Sequence, residues 1–241
     1  MGLTSFIAQG RAALSISQAF ADRPLFATNS CARPTVQLVG GRIPVLIVDQ
    51  VFEDPEAIRS NALALHFRPP PYPYPGRLAV PATDDGSLQP FLQSVLSLVN
   101  GEYLPKIPPI LAGDRRIDAF RRVQTDFAIV DVHPDELSDD QREPHMDPVP
   151  IFGLVYLNPR ERGGTLFFDA PTQSVPANDR RGYCSSEDPH YPFVGRIEGA
   201  FNRLAIYPGF VFHSADIRGS WIENEERLNA PRLTQRLVFF P

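Results

Sequence analysis

Twenty-six prolines in 241 residues limit what this chain can become more than any other feature of it. Each proline removes a backbone donor and fixes φ, so long helices cannot persist over most of the sequence, and short strands between shaped loops remain. The extreme case is Arg68-Pro-Pro-Pro-Tyr-Pro-Tyr-Pro-Gly76, which reads as a polyproline-like loop. The length and the apolar fraction of 43% suit one globular domain. A net charge of −5 argues against nucleic acid as a main partner, because phosphate binding needs a basic face. Cys31 and Cys184 form no CxxC and no Cys/His cluster, so a structural zinc is not expected and no oxidising compartment is required. No apolar run reaches the ~18 residues of a membrane span. The opening MGLTSFIAQGRAALSISQAF lacks a basic n-region and a clear cleavage site. The expectation is a cytoplasmic protein without membrane contact; oligomeric state is not readable.

The first 40 residues read as a leader with one short helix around Ile7–Phe20 and irregular chain after it. The β-branched run Ile43–Asp49 predicts a strand, with Pro44 tolerated at its start. Asp54-Pro55 supplies an N-cap and a first-position proline for a helix Pro55–His66. Ser87 is placed to cap a second helix, whose Leu88, Phe91, Leu92, Val95, Leu96 and Val99 share one face. From Ile117 onward the pattern becomes strand-like: Ile117–Val132, Ile151–Leu157, Thr165–Phe168, Arg203–Tyr207, Phe210–His213 and Leu233–Phe240. Helices followed by a run of strands predict a mainly β fold with N-terminal helices, a sandwich or jelly roll. We expect a single domain, with residues 1–116 as helical and strand support and 117–241 as the core. The Pro/Ser/Asn/Asp-rich stretch Ala170–Arg196 reads as a long loop.

Two imidazoles and one carboxylate can cover one face of an octahedral metal and leave the other face to substrates. An HxD pair is the usual seed of such a set, but it arises readily by chance, and this chain has two. His133-Pro-Asp135 lies in a highly charged stretch that reads as an exposed turn. His145-Met-Asp147 immediately precedes the apolar strand Ile151–Leu157, where strand ends can hold ligands still, and is the preferred pair. Downstream, His190 sits in a proline-bounded loop and reads as a surface histidine, whereas His213 ends the apolar run Phe210–His213. A lone histidine on an apolar strand is ordinarily a satisfied core residue; the agreement of His213 with the HxD and the strand pattern favours a ligand. Arg232, Thr234 and Arg236 share one face of the last strand, a polar face that is either solvated or turned to an acid-binding cavity.

These residues resemble the Fe(II)/2-oxoglutarate-dependent oxygenases, in their prolyl-hydroxylase-like branch. The likeness runs through Gln141-x-x-Pro-His145-x-Asp147, Leu154–Asn158, Gly163-Gly-Thr-Leu-Phe-Phe168, Asn202–Pro208, His213 and Pro231-Arg-Leu-Thr234, over about residues 120–241. Ile43–Asp49 and the Asp54-Pro55 helix resemble uncharacterised bacterial members. The resemblance implies a double-stranded β-helix, with His145, Asp147 and His213 binding Fe(II) and Arg232 with Thr234 holding the distal carboxylate of 2-oxoglutarate. The family pattern brings that arginine closer to the distal histidine, so an insertion Ser214–Pro231 is implied, with Arg236 or Arg218 as alternative anchors. It further implies hydroxylation of a small-molecule, amino-acid or peptidyl substrate, with O2 and 2-oxoglutarate consumed. Asp147, in place of Gly or Ala, argues against a halogenase. Specificity is expected from the loops Arg68–Gly76, Ala170–Arg196 and Ser214–Pro231; their aromatics Tyr72, Tyr74, Tyr191 and Trp221 are expected to cover the barrel rather than stack on a ligand. Two other classes compete: a cupin-like metal enzyme that needs no 2-oxoglutarate, and a catalytically silent binding module. A nucleic-acid demethylase is a weaker third.

Overall fold

The computed structural model describes residues 24–81, 86–112, 115–160, 163–171 and 182–241. The helix expected around Ile7–Phe20 and part of the expected loop Ala170–Arg196 lie outside the described residues. Strands β1 (Pro34–Val39), β2 (Ile43–Val48), β3 (Gly76–Ala79), β6 (Arg122–Val130), β7 (Ile151–Tyr156), β10 (Arg203–Pro208) and β12 (Arg232–Phe240) form one antiparallel sheet. Their order is β1-β2-β10-β7-β12-β6-β3. Strands β8 (Thr165–Phe168), β9 (Phe193–Ile197) and β11 (Phe212–Ala215) form a second antiparallel sheet, ordered β11-β8-β9. The short β4 (Leu111–Ala112) and β5 (Arg115–Arg116) pair only with each other among the described residues. Two antiparallel sheets face to face make the fold a double-stranded β-helix with supporting helices.

The central strands β2, β7 and β10 of the large sheet are buried on both faces, which is why they read as near-continuous apolar runs rather than alternations. Leu46, Val48, Ile151, Val155, Leu204, Ile206, Leu233 and Leu237 point to one side. There they meet Ile58 and Ala62 of helix α1 (Pro55–Leu63) and Leu88, Phe91, Leu92, Val95 and Leu96 of helix α2 (Leu88–Leu98). On the other side Val45, Ile47, Phe152, Leu154, Tyr156, Ala205 and Tyr207 pack on Phe167 and Ile197 of the small sheet. At ~25 cal/mol per Å² of apolar surface removed from water, these two layers supply most of the drive to fold.

Both helices behave largely as the sequence predicts. Asp54 Oδ1 accepts the Ala57 N–H at 3.0 Å and Pro55 takes the first position of α1, which ends at Leu63, short of His66. Ser87 does precede α2, but its hydroxyl accepts from Phe26 N at 2.9 Å instead of capping the helix. The N-terminal half is more β-rich than its sequence suggests. Residues expected to be irregular form β1, because Gly40 and Gly41 adopt left-handed φ angles of 57° and 73° and return the chain onto β2. The proline-rich loop ends in β3, which pairs with β6, and β9 lies within the stretch expected to be a loop. Strands from the first 116 residues are thus built into the main sheet itself.

Candidate metal centre

His145, Asp147 and His213 converge at one mouth of the barrel, each offering a ligand atom within 4.8 Å of the others. The backbone brings them there. His145 N donates to His213 O and His213 N to His145 O, both at 2.9 Å, so the HxD segment adds a one-residue bridge to β11. Asp147 N is tied to Gly209 O at 2.8 Å, in the turn that leads from β10 into β11. The imidazole centroids stand 4.6 Å apart. His213 is buried, wedged against Tyr207 at 5.2 Å and Phe152 at 6.4 Å between ring centroids.

The donor set fits a cation on a specific observation. His213 Nδ1 is 2.9 Å from the Val211 carbonyl, which can only accept, so Nδ1 carries the proton. Nε2 is then the ring's remaining ligand atom, and it faces Asp147 Oδ2 at 3.3 Å. That oxygen is buried and has no hydrogen-bond partner. A buried carboxylate oxygen this close to a ring nitrogen, outside hydrogen-bonding geometry, is satisfied by a positive charge between the two, which a metal ion would supply. Electrostatics keep the set ready: burial, with His213 beside it, draws the His145 imidazole down to about 4 against a weaker pull from Asp147. His145 is exposed as a whole residue, so the direction, toward the neutral ring, is what matters. Burial pushes Asp147 up, but His213, His145 and the more distant Arg236 together hold its carboxyl below the ordinary value.

The rival pair does something else. His133 Nδ1 accepts the Asp135 N–H at 3.2 Å and opens the short turn Pro134–Glu136, while the Asp135 side chain is 87% exposed. His190 sits in a turn on Asp188, and neither belongs to a metal-competent group among the described residues.

Arg232, Thr234 and Arg236 share the inner face of β12, opposite Tyr156 and Leu154 of β7, where Arg232 and Thr234 are almost wholly buried. Arg232 donates through Nη2 to Gly164 O at 2.9 Å and lies over the Tyr156 ring, but its buried Nε has no partner. Arg236 is committed to Asp126 through two bonds of 2.6 and 2.7 Å, and to the Tyr72 hydroxyl at 3.0 Å. Arg218 is paired with Asp216. Of the three arginines considered as acid anchors, Arg232 is the one with a buried donor left without a partner. Gly163 and Gly164 let the chain run against Asp216 and Ile197, whose carbonyl oxygens would lie 1.4 and 1.7 Å from an added Cβ, and so set the carbonyl that Arg232 meets. Trp221 and Tyr191 are buried in apolar clusters, as expected of covering aromatics, whereas Tyr72 is half exposed.

Sequence reasoning missed two supports. Gln141 donates to Tyr74 O at 2.7 Å and so clamps the proline-rich arm beside the HxD segment. The Val211 carbonyl sets the His213 tautomer, and no side-chain pattern could have revealed a main-chain oxygen in that role.

A family model described as "Family of unknown function (DUF6445)" matches residues 30–179 and 170–239. No curated protein matches the sequence. Among solved structures, the chain is similar to a prolyl hydroxylase from Trichoplax adhaerens in complex with a hypoxia inducible factor oxygen degradation domain peptide fragment. That match has 14% identity, covers 81% of this chain and 83% of that one, and has a TM-score of 0.47. HygX from Streptomyces hygroscopicus, with nickel and 2-oxoglutarate bound, matches at 12% identity over 82% of each chain, with a TM-score of 0.40. An N-substituted L-amino acid dioxygenase from Burkholderia ambifaria AMMD matches at 11% over 80% of each, with a TM-score of 0.28. At these identities and scores the likenesses bear on neither activity nor ligands, and the site rests on its own geometry.

Proposed function

We propose that this chain, which belongs to the DUF6445 family of unknown function, is an Fe(II)- and 2-oxoglutarate-dependent oxygenase that hydroxylates a small-molecule, amino-acid or peptidyl substrate. The observation that carries the reading is the His213 Nε2–Asp147 Oδ2 confrontation beside His145, a two-histidine, one-carboxylate set with one open side. With iron and the keto acid bound there, O2 and 2-oxoglutarate would be consumed to give succinate and CO2 while a substrate C–H becomes C–OH.

This chain's residues bind and orient. His145 presents a neutral imidazole, His213 its Nε2, and Asp147 an ionised carboxylate held in place through Gly209. Arg232 offers its free Nε–H to the far carboxylate of the acid. Tyr156 and Thr165, joined by a 2.7 Å hydrogen bond, fill the space beside Arg232 without presenting a competing charge. Tyr207 and Phe152 keep water from the inner side of His213.

The test is anaerobic visible absorption of the protein with Fe(II) and 2-oxoglutarate. A weak charge-transfer band in wild type, lost in His145→Ala and needing at least about tenfold more acid in Arg232→Ala, is the expected result. Iron binding without the band would remove the keto acid and leave a cupin-like metal enzyme. Binding of neither would leave a silent barrel.

A further inference from the structure

We propose that Arg227, carried on the segment between β11 and β12, is a second cation of the acid pocket that closes with Arg232 on the far carboxylate of a small dicarboxylic acid. The proposal rests on the reading of Arg232 as the acid anchor. Arg227 lies in helix α4 (Glu226–Asn229), which follows the single turn α3 (Ser220–Glu223). Its side chain is only 11% exposed, unusual for an arginine in a stretch as charged as Glu223–Arg227. It donates through Nη1 to Asn224 O at 2.7 Å, and its Glu225 contact is 3.6 Å long, with Glu225 itself 79% exposed. Its Nε is buried without a partner, the same deficit that Arg232 shows. Leaving a charged donor buried and unsatisfied is costly, and two such donors on neighbouring segments call for a common explanation.

The packing brings the segment to the right end of the barrel. Trp221 Nε1 donates to Ala230 O at 2.9 Å and draws residues 221–230 into a closed loop. Trp221 and Ile222 pack with Ile217 on Val130, with Tyr74 and Tyr183 against the same cluster. Val130 stands directly opposite Arg232 in the β6–β12 register. Both Arg227 and Arg232 act electrostatically on the Tyr183 hydroxyl, which is itself tied to Val132 O at 2.9 Å. The carboxylates nearby are matched: Asp126 with Arg236, Asp131 with Arg77, and Asp216 with Arg218 and Arg196. Arg232 has no ion pair among the described residues and Arg227 only its 3.6 Å contact to the exposed Glu225, so a carboxylate, with lone pairs for four donors, would satisfy both orphan N–H groups at once. The insertion then has a purpose: it delivers the second guanidinium and covers the acid.

The experiment is calorimetric titration of the full Zn(II)-loaded chain, with the fluorescence of its single tryptophan, Trp221, as a second readout. The probes are 2-oxoglutarate, succinate, and pyruvate, which keeps the keto-acid end but lacks the far carboxylate. Arg227→Gln should raise Kd for both diacids by about 10- to 100-fold and leave pyruvate within about twofold. Arg227→Lys should lose less, which guards against reading a misfolded variant as a lost contact. Unchanged diacid binding in Arg227→Gln overturns the proposal, as does an equal loss for pyruvate, which would mean a structural role, or a wild type that binds no diacid. If wild type binds succinate but not 2-oxoglutarate, and Arg227→Gln loses the succinate, the second cation stands while the oxygenase reading falls.

Discussion

An amide in place of the Asp147 carboxylate would remove both a ligand oxygen and the negative charge that His213 and His145 stabilise in the fold. We therefore expect Asp147→Asn to unfold at a somewhat lower temperature than metal-free wild type, and to lose the stabilisation that metal confers. That stabilisation is about 2.7 kcal/mol at a hundredfold excess of metal over Kd, and differential scanning calorimetry with and without Mn(II) reads both. A variant that keeps the metal-dependent rise in unfolding temperature would argue that Asp147 is not a ligand. The pH dependence follows from the same residues. His145 titrates at about 4 in the fold against an ordinary 6.5, so as pH falls the unfolded chain takes up the proton first. Stability of the metal-free protein is thus lost as pH falls from about 6.5 toward 4, and His145→Gln should flatten that part of the curve in chemical denaturation. Asp147 works lower: its depressed carboxyl contributes above the ordinary 3.8, and that contribution disappears as the carboxyl is protonated.

At the level of elements, two asparagines do the joining. Asn202, at φ 62°, accepts from Phe52 N at 3.0 Å and donates to Phe52 O at 2.9 Å, fixing the entry to β10 against the start of the α1 region. Asn158 accepts from Leu233 N and from Arg59 of α1, linking the end of β7 to β12 and to the helix layer. Asn202→Ala leaves both Phe52 groups buried and unsatisfied and strains a left-handed backbone. It should cost about 2–4 kcal/mol in urea denaturation, and a loss below about 0.5 kcal/mol would contradict this account. Neither bracket is legible as such, since an asparagine ahead of a strand reads as a turn residue. What was legible was element type wherever periodicity was strong, as in α2, and wherever β-branched runs were dense, as in β2 and β7. The strands β1, β3 and β9 were missed because pairing partners far along the sequence, not local composition, make them strands.

For the whole molecule, the convergence of His145, Asp147 and His213 was readable because an HxD and a distant histidine flank apolar strands, whereas the surroundings of Arg232 were not. Tyr74, Tyr183 and Arg227 come from three separate loops, and their meeting is a consequence of topology alone. Topology has a further consequence in β12. It follows every other described strand yet lies between β7 and β6, and among the described residues the sheet has no other link between its β1-β2-β10-β7 and β6-β3 parts. A ribosome translating this message must therefore finish Phe240 and clear it from the exit tunnel before the two parts can be zipped together. Until then each nascent chain presents two raw strand edges to its neighbours on the polysome, and chaperones have the most to protect in that interval.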